Sequence, residues 1–221
     1  SPDGAKTNFK TVMSYGDYLN IDTVLDQQNC ITGAHDEMLF IVQHQTSELW
    51  LKQILHEMLA ARTALETGNM PNMLKMLSRV SRIFEQLNNQ WDVLRTMTPA
   101  DYTHFRDALG PSSGFQSYQY RMVEFILGNR NPAMLKPHSH VPKVEKMLQL
   151  ELSRTSFYDE VIKFLFNTLD GTTKDMPVPQ LDTPHEARPA VQERWKIVYQ
   201  DVETHWNLYE LAEKLVDLED Y

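Results

Sequence analysis

Hydrophobic residues recur every three or four positions along most of this chain, a spacing typical of amphipathic helices. Two long stretches, residues 34–67 and 190–220, contain neither Gly nor Pro, and we predict one continuous helix in each. A third helix is predicted to begin at Pro71 and to end before Thr98. Its apolar stripe consists of Leu74, Leu77, Phe84, Leu87, Trp91 and Leu94. No segment alternates with the period of a strand, so the pattern predicts an all-α fold.

Gly and Pro mark the remaining boundaries. We predict a short helix from Thr98 to Leu109, a loop over residues 110–114 and a helix from Phe115 to Leu127. Residues 128–142 are expected to be irregular and residues 172–189, rich in Pro, to form an exposed loop. In between, the sequence predicts a helix that ends at Asp170 and begins with a capping box made by Ser156 and Asp159. The predicted stripe of the last helix is Trp195, Val198, Val202, Trp206 and Tyr209.

The length of the first long helix bears on the architecture. Thirty-four helical residues span roughly 50 Å, whereas a compact globule of this chain length is about 45 Å across. A helix longer than its own globule favours an elongated bundle or an oligomer. Since no domain boundary is visible, we expect residues 1–221 to form a single domain.

The charge and cysteine content narrow the function classes. The 221 residues include 21 Lys and Arg and 30 Asp and Glu, for a formal net charge of −9. Such a chain lacks the basic surface that nucleic acids and anionic membranes require. One cysteine, Cys30, excludes an internal disulfide and fits a reducing cytoplasm. The longest apolar run, residues 38–42, is far shorter than the roughly 20 residues of a membrane span. We therefore expect a cytoplasmic protein with no nucleic acid or membrane partner.

Common catalytic motifs are absent from the sequence. The eight glycines form neither a dinucleotide-binding fingerprint nor a phosphate loop. No HExxH motif occurs, and no His has a Glu three residues before it, as a di-iron bundle would need. His138 and His140 lie close together without a third ligand nearby, so a solvated loop is the more common explanation for them. The residues alone assign no metal site.

The first group of residues that carries chemistry lies on the long helix of residues 34–67. Phe40 and His44 share one helical face at i, i+4 spacing, and the residues around them are apolar. A His in such a place is either a core residue with a hydrogen-bond partner or a functional imidazole in a dry pocket. The segment by itself leaves both interpretations open.

The second group of residues lies on the predicted helix of residues 98–109. Tyr102, Arg106 and Leu109 fall on one face, and Ser112 and Ser113 follow in the loop. An Arg on an apolar face needs an anion, and its planar fork matches a carboxylate. A small carboxylic acid with an apolar side chain would fit there. An internal Arg–Glu pair is the alternative, and the residues favour neither.

Four long motifs resemble those of the bacterial tryptophan 2,3-dioxygenase family. They are YGDYL at 15–19, HDEMLFIVQHQTSELWLKQILHE at 35–57, GPSSGFQSYQYR at 110–121 and HWNLYELAEKLVDLED at 205–220. The resemblance extends over about residues 13–220. It implies an all-α, intertwined homotetramer that binds haem b. With ferrous iron and O₂, such enzymes cleave the C2–C3 bond of the indole ring of L-tryptophan to give N-formylkynurenine, the first step of tryptophan catabolism by the kynurenine route.

The resemblance also implies roles for individual residues. His44 matches the distal histidine that accepts a hydrogen bond from the indole N–H, and Phe40 packs on the indole ring. Arg106 matches the arginine that binds the substrate carboxylate, with Tyr102 on the same face and Leu109 in the pocket wall. The other matches are Ser113 near haem and substrate, Trp91 beside the haem, and Tyr15, Tyr18 and Leu19 in a neighbouring subunit's pocket. Residues 1–30 would then form an N-terminal arm.

The resemblance assigns no iron ligand in this sequence. In the family, the helix with the proximal histidine and a Gly- and Thr-rich loop follow the LVDLED motif, whereas this sequence ends at Tyr221. We expect the parent protein to continue into these elements. The alternative is a helical ligand-binding module without haem or catalysis. In either case, the resemblance predicts that His44 and Arg106, on separate helices, converge on one cavity.

Overall fold

The structure is a computed structural model that describes residues 8–9, 11–171, 174–179, 181 and 185–219. Over these residues the chain forms α-helices and 3₁₀ helices and no strand, so the all-α prediction is confirmed. The α-helices are α1 (Tyr15–Leu19), α2 (Ile21–Leu25), α3 (Glu37–Glu66), α4 (Met70–Asn89), α5 (Trp91–Leu94), α6 (Pro99–Arg106), α7 (Tyr118–Leu127), α8 (Pro142–Leu152), α9 (Phe157–Asp170), α10 (Pro189–Gln200) and α11 (Trp206–Glu219). The 3₁₀ helices are Asp107–Leu109, Gly114–Gln116 and Pro132–His138. No helix of this described part is both long and apolar enough to cross a membrane.

Helix α3 is the central element of the bundle. Its 30 residues extend over about 45 Å, and it packs against α4, α7 and α9, while α11 covers α4. The main hydrophobic core contains Leu51, Ile54 and Met58 of α3 together with Leu77 and Val80 of α4. Because this core begins at Leu51, the N-terminal half of α3 extends past it and leaves a face open for a site.

Hydrogen bonds from the preceding segment fix the N-terminal half of α3. The buried carboxylate of Glu37 accepts bonds from the Ile31 amide at 2.7 Å, the Thr32 amide at 2.8 Å and the Thr32 hydroxyl. The Thr32 hydroxyl bond, more than the amide bonds, lowers the pKa of Glu37. About two turns further on, Gln45 Nε2 donates to the Gln27 carbonyl at 2.8 Å. These bonds tie residues 27–32 to the helix that carries the site.

Helix α4 ends earlier than its apolar stripe predicts. The stripe continues to Leu94, but α4 stops at Asn89 and α5 begins at Trp91. The break falls at Gln90, whose side chain donates to Ser47 Oγ at 2.6 Å on α3. Trp91 is 47% exposed instead of belonging to a buried stripe. This tertiary cross-link has no counterpart in the local pattern.

The last predicted helix is also divided. Helix α10 ends at Gln200 and α11 begins at Trp206, although no Gly or Pro lies between them. Asp201 Oδ1 accepts a bond from the Thr204 amide at 3.2 Å, which favours a turn over a helix. Trp206 is consequently exposed, and the prediction of one continuous stripe is wrong.

The remaining boundaries differ in smaller ways. The helix predicted to end at Leu109 changes to a 3₁₀ helix after Arg106. The helix predicted from Phe115 begins at Tyr118, because Ser117 is extended and caps it. Residues 132–138, expected to be irregular, form a 3₁₀ helix. The capping box of Ser156 and Asp159 is confirmed, as is the end of that helix at Asp170.

The Pro-rich segment is not an exposed loop throughout. In residues 174–179, 181 and 185–188 there is no helix, as predicted. However, the side chain of His185 is only 14% exposed and lies 3.1 Å from Asp159 Oδ1. Arg130 Nε also donates to the Leu181 carbonyl at 3.2 Å. The prediction of full exposure is wrong here because contacts with residues distant in sequence hold the segment to the bundle. Residues 172, 173, 180 and 182–184 lie outside the described part.

Candidate active site

A cavity of about 650 Å³ opens beside the N-terminal half of α3. Its walls come from α3, α6 and the segment that connects α6 to α7. The lining residues are Phe40, His44, Glu48, Tyr102, Arg106, Leu109, Pro111, Ser112, Ser113, Gly114, Gln116 and Ser117. His44 and Arg106, on separate helices, therefore share one cavity, as expected. Its volume lies within the usual range for a small-molecule site.

Three aromatic rings hold α6 against α3 at this cavity. The ring centroids of Phe40 and Tyr102 are 5.8 Å apart, and Phe105 lies 5.5 Å from Phe40 and 5.3 Å from Tyr102. Phe105 is fully buried, whereas the other two rings line the cavity. Sequence reasoning missed Phe105, although it lies three residues after Tyr102 on the same helix. The cluster fixes the rings that form the apolar part of the wall.

The imidazole of His44 has one nitrogen bound within its own helix. Nδ1 lies 2.7 Å from the Phe40 carbonyl, and the Phe40 ring centroid lies 4.2 Å from the imidazole centroid. Because a carbonyl only accepts, the neutral imidazole carries its proton on Nδ1, and Nε2 is left as an acceptor. His44 is half-buried and lines the cavity. It is therefore not a fully buried core residue.

Arg106 has no carboxylate partner among the described residues. Its Nη1 donates to the Gly110 carbonyl at 2.9 Å, and the alternative of an internal Arg–Glu pair is not realised in the described ion pairs. The side chain is exposed and borders the cavity, so the expectation of a costly position on an apolar face is wrong. A guanidinium in this place can bind an anion without first breaking an ion pair.

The loop after Leu109 is held by its own side chains. Ser113 Oγ accepts a bond from the Phe115 amide at 3.3 Å, and Gln116 Oε1 accepts one from the Ser113 amide at 3.2 Å. Ser112 Oγ donates to the Leu109 carbonyl at 2.6 Å. These short-range bonds place Ser113 at the edge of the cavity.

Three further lining residues, Glu48, Gln116 and Ser117, were not selected by sequence reasoning. Gln119 Nε2 donates to both the carbonyl and Oε2 of Glu48 at 2.8 Å. Glu48 lies one turn after His44, so the i, i+4 spacing was a signal for it. Gln116 and Ser117 carry no comparable signal, because the segment before α7 brings them to the cavity.

Two further cavities continue from the first in a row, and each shares lining residues with the one before it. Ser113 and Gly114 also line a cavity of about 480 Å³ with Phe115 and Tyr120. Tyr120 in turn lines a third cavity of about 410 Å³ together with Trp91. Trp91 thus lies outside the cavity of His44, and this row of three cavities connects the two residues. The rings of Trp91, Phe115 and Tyr120 are exposed.

The predicted arm residues do not enter these cavities in this chain. Tyr15 and Tyr18 on α1 are 76% and 74% exposed, and Leu19 is also exposed. None of the three lines the cavities of His44, Tyr120 or Trp91. Val24 and Gln27, further along, line a separate cavity of about 410 Å³ that His44 also borders.

The described residues offer no ready-made metal site. Within them, no group of three or more His, Cys, Asp or Glu side chains could hold a metal ion. His138, expected in a solvated loop, is buried, whereas His140 is exposed. Burial, together with the charge of Arg121, lowers the pKa of His138.

Comparison with known proteins identifies the family of this chain. A family model described as tryptophan 2,3-dioxygenase matches residues 1–160. A tryptophan 2,3-dioxygenase of Ruegeria sp. is 68% identical over 219 residues, which are 99% of this chain and 78% of the relative. The enzyme of the same name from Bradyrhizobium diazoefficiens is 55% identical, with the same shares covered. That from Pseudomonas fluorescens is 48% identical over 98% of this chain and 76% of its own length. The chain therefore belongs to the tryptophan 2,3-dioxygenase family.

Proposed function

We propose that this protein is a haem-dependent tryptophan 2,3-dioxygenase. It cleaves the indole C2–C3 bond of L-tryptophan with O₂ and forms N-formylkynurenine, the first step of the kynurenine route. The observation that carries the proposal is that, in a chain of this family, His44 and Arg106 line one cavity of about 650 Å³. No contact in the described part favours a ligand-binding module without catalysis over the enzyme.

Arg106 is the proposed binding group for the substrate carboxylate. The guanidinium has no described carboxylate partner and can offer two parallel N–H bonds. Tyr102 lies on the same helix, and the rings of Phe40 and Tyr102 form an apolar wall against which the indole can pack. Leu109 extends this wall and Ser113 adds a hydroxyl at the edge. A carboxylate with an aromatic side chain matches this set.

His44 is the proposed catalytic residue. With Nδ1 bound to the Phe40 carbonyl, Nε2 can accept the indole N–H. That bond would orient the ring, and orientation alone contributes strongly to rate when two reactants must meet in one geometry. The imidazole can also accept a proton at Nε2, so both a positioning role and a base role use the same nitrogen.

The exposed aromatic residues along the row of cavities fit haem b. A flat apolar macrocycle needs apolar walls, and the exposed rings of Trp91, Phe115 and Tyr120 line the two adjoining cavities. We propose that Trp91 and Ser113 help to hold the haem. When bound, haem supplies the ferrous iron that activates O₂, a reaction that no side chain carries out alone. We assign no iron ligand among the described residues.

The exposed helix α1 supports a proposed homotetramer. Tyr15 and Tyr18 project from α1 and line none of the chain's described cavities that hold His44, Tyr120 or Trp91. We propose that they and Leu19 complete the pocket of a neighbouring subunit, with residues 1–30 as an arm. The single free cysteine, Cys30, is compatible with the reducing cytoplasm that we propose as the compartment.

Turnover by the haem-loaded full-length protein tests this function. With reductant, O₂ and L-tryptophan, it should produce N-formylkynurenine, identified by its absorbance and mass. His44→Ala should keep the Soret band of bound haem but lose most of the turnover. Full haem loading without product in the unaltered protein would exclude the proposed activity.

A further inference from the structure

Arg106 is held by a backbone atom instead of a side chain. Its Nη1 lies 2.9 Å from the carbonyl oxygen of Gly110, four residues later and just past the helix end. No other hydrogen bond or ion pair of the guanidinium involves a described residue. A guanidinium carries five N–H donors, so this bond leaves four of them for a ligand.

The conformation of Gly110 brings that carbonyl to the guanidinium. Gly110 has φ 56° and ψ −133°, a combination that residues with a side chain avoid. Its own amide donates to the Asp107 carbonyl at 3.2 Å, so both the amide and the carbonyl of Gly110 are hydrogen-bonded. A Cβ added at Gly110 would meet no atom within 4 Å. Glycine is thus required for its backbone conformation and not for space.

We infer that Gly110 is a positioning residue for the substrate carboxylate. Its carbonyl holds the exposed Arg106 side chain in the orientation that receives the carboxylate. Because a long side chain loses rotamer freedom when it binds a ligand, prior fixation by Gly110 strengthens binding. The inference rests on the proposed function, since it takes Arg106 as the carboxylate-binding group.

Two ligands separate positioning from general damage. We would titrate the haem-loaded Gly110→Ala protein with L-tryptophan and with tryptamine, which lacks the carboxylate, and follow the haem spectrum. Loss of the fixed orientation should weaken L-tryptophan binding by about three- to tenfold. Tryptamine binding should change by less than about twofold, because no carboxylate contact is involved. Gly110→Asn should show the same selectivity, because the ψ of −133° at Gly110 lies outside the left-handed helical region in which Asn can replace Gly.

Gly171→Ala is the matched control. Gly171 also has a positive φ, 64°, with ψ 13°, and open space around its Cβ position, but it ends α9 and does not line the cavity. The control should lower the melting temperature without changing the ratio of the two affinities. An equal change in that ratio would assign the effect of Gly110→Ala to loss of stability.

A double variant tests whether Gly110 acts through Arg106. In the Arg106→Ala background, Gly110→Ala should weaken L-tryptophan binding no further. Equal losses in both backgrounds, or equal losses for both ligands, would overturn the inference. The proposed function fails in a different way, namely when the unaltered protein binds no L-tryptophan or forms no product.

Discussion

Two groups of arginines in this bundle differ in how many partners the protein itself provides. Between α3 and α8, the side chain of Arg62 is 10% exposed and its Nη1 lies 2.6 Å from Glu151 Oε1. Arg130 nearby is fully buried, and its Nη2 donates to three backbone carbonyls at the end of α8, among them that of Leu152 at 2.7 Å. At the cavity, Arg106 is exposed and has one described partner, the Gly110 carbonyl.

This difference in internal partners indicates whether each arginine charge is compensated during folding or by a ligand. A buried guanidinium must find its partners during folding, because an unpaired buried charge costs several kcal/mol. An exposed guanidinium keeps its hydration and can exchange part of it for a ligand. In the sequence, Arg62 and Arg106 both have apolar residues at helical spacing, so the pattern does not distinguish them. The two arginines are distinguished by their partners within the protein, a carboxylate for Arg62 and a backbone carbonyl for Arg106.

Removing the buried charge should have the largest effect. Arg62→Ala leaves Glu151 without its partner at 2.6 Å, and we expect the free energy of unfolding to fall by about 3–5 kcal/mol. Urea unfolding followed by circular dichroism measures this. L-tryptophan affinity should stay within about twofold, since most interactions of distant sites are additive. A loss below about 1 kcal/mol would show that the pair is not an obligatory part of the fold.

Arg106→Ala should give the opposite result. We expect L-tryptophan binding to weaken by about 2–5 kcal/mol through loss of a charge-assisted pair. The free energy of unfolding should change by less than about 0.5 kcal/mol, because the side chain is exposed. Arg106→Lys keeps the charge but loses the planar fork, so its binding should be intermediate. A stability loss as large as that of Arg62→Ala would contradict the comparison.

Helical spacing predicted much of the fold and of the site. The i, i+4 pair of Phe40 and His44 and the series from Tyr102 to Leu109 lie on the faces that the pattern indicates, and both line one cavity. Spacing within a helix suffices for this, because it fixes which side chains share a face. Which two faces meet is a tertiary property, and here it came from the resemblance.

Some errors come from contacts between distant residues, whereas the break between α10 and α11 comes from a local turn at Asp201. Trp91 belongs to the predicted stripe, yet the helix ends before it at Gln90, whose side chain donates to Ser47, 43 residues away. His185 lies in a Pro-rich segment but contacts Ser156, 29 residues earlier. The partner of Arg106 is the backbone carbonyl of Gly110. A carbonyl contact cannot be predicted from residue types, and the only related signal in the sequence is the glycine itself.

Asp159 provides a pH test of the buried region. Burial raises its pKa, but the hydrogen bonds from His185 and from the Ser156 hydroxyl and amide outweigh burial, so the pKa lies below the ordinary 3.8. Its stabilising contribution is therefore complete above the ordinary value and is lost as the pH falls through the lowered folded pKa. We expect Asp159→Asn to reduce the free energy of unfolding by about 1–3 kcal/mol at neutral pH.

The pH dependence of stability shows whether the charge of Asp159 contributes to the free energy of unfolding. The difference between the unaltered protein and Asp159→Asn should shrink as the pH falls from about 5 towards 3, because protonation removes the same charge. Urea unfolding at several pH values measures it. A difference that stays constant over this range would mean that the Asp159 charge does not contribute.

A surface pair should produce the smallest effect and separates pairing from burial. Arg95 Nη1 lies 3.0 Å from Asp92 Oδ1, a distance similar to that in the buried pair, but the two side chains are 78% and 73% exposed. Water screens their attraction, and holding two mobile side chains costs entropy, so Asp92→Asn should change the free energy of unfolding by less than about 0.5 kcal/mol. The same urea measurement applies, with Arg62→Ala as the reference. If the exposed pair contributed as much as the buried one, geometry alone would determine the energy of an arginine pair. The need to compensate a buried charge would then no longer explain the contrast between Arg62 and Arg106.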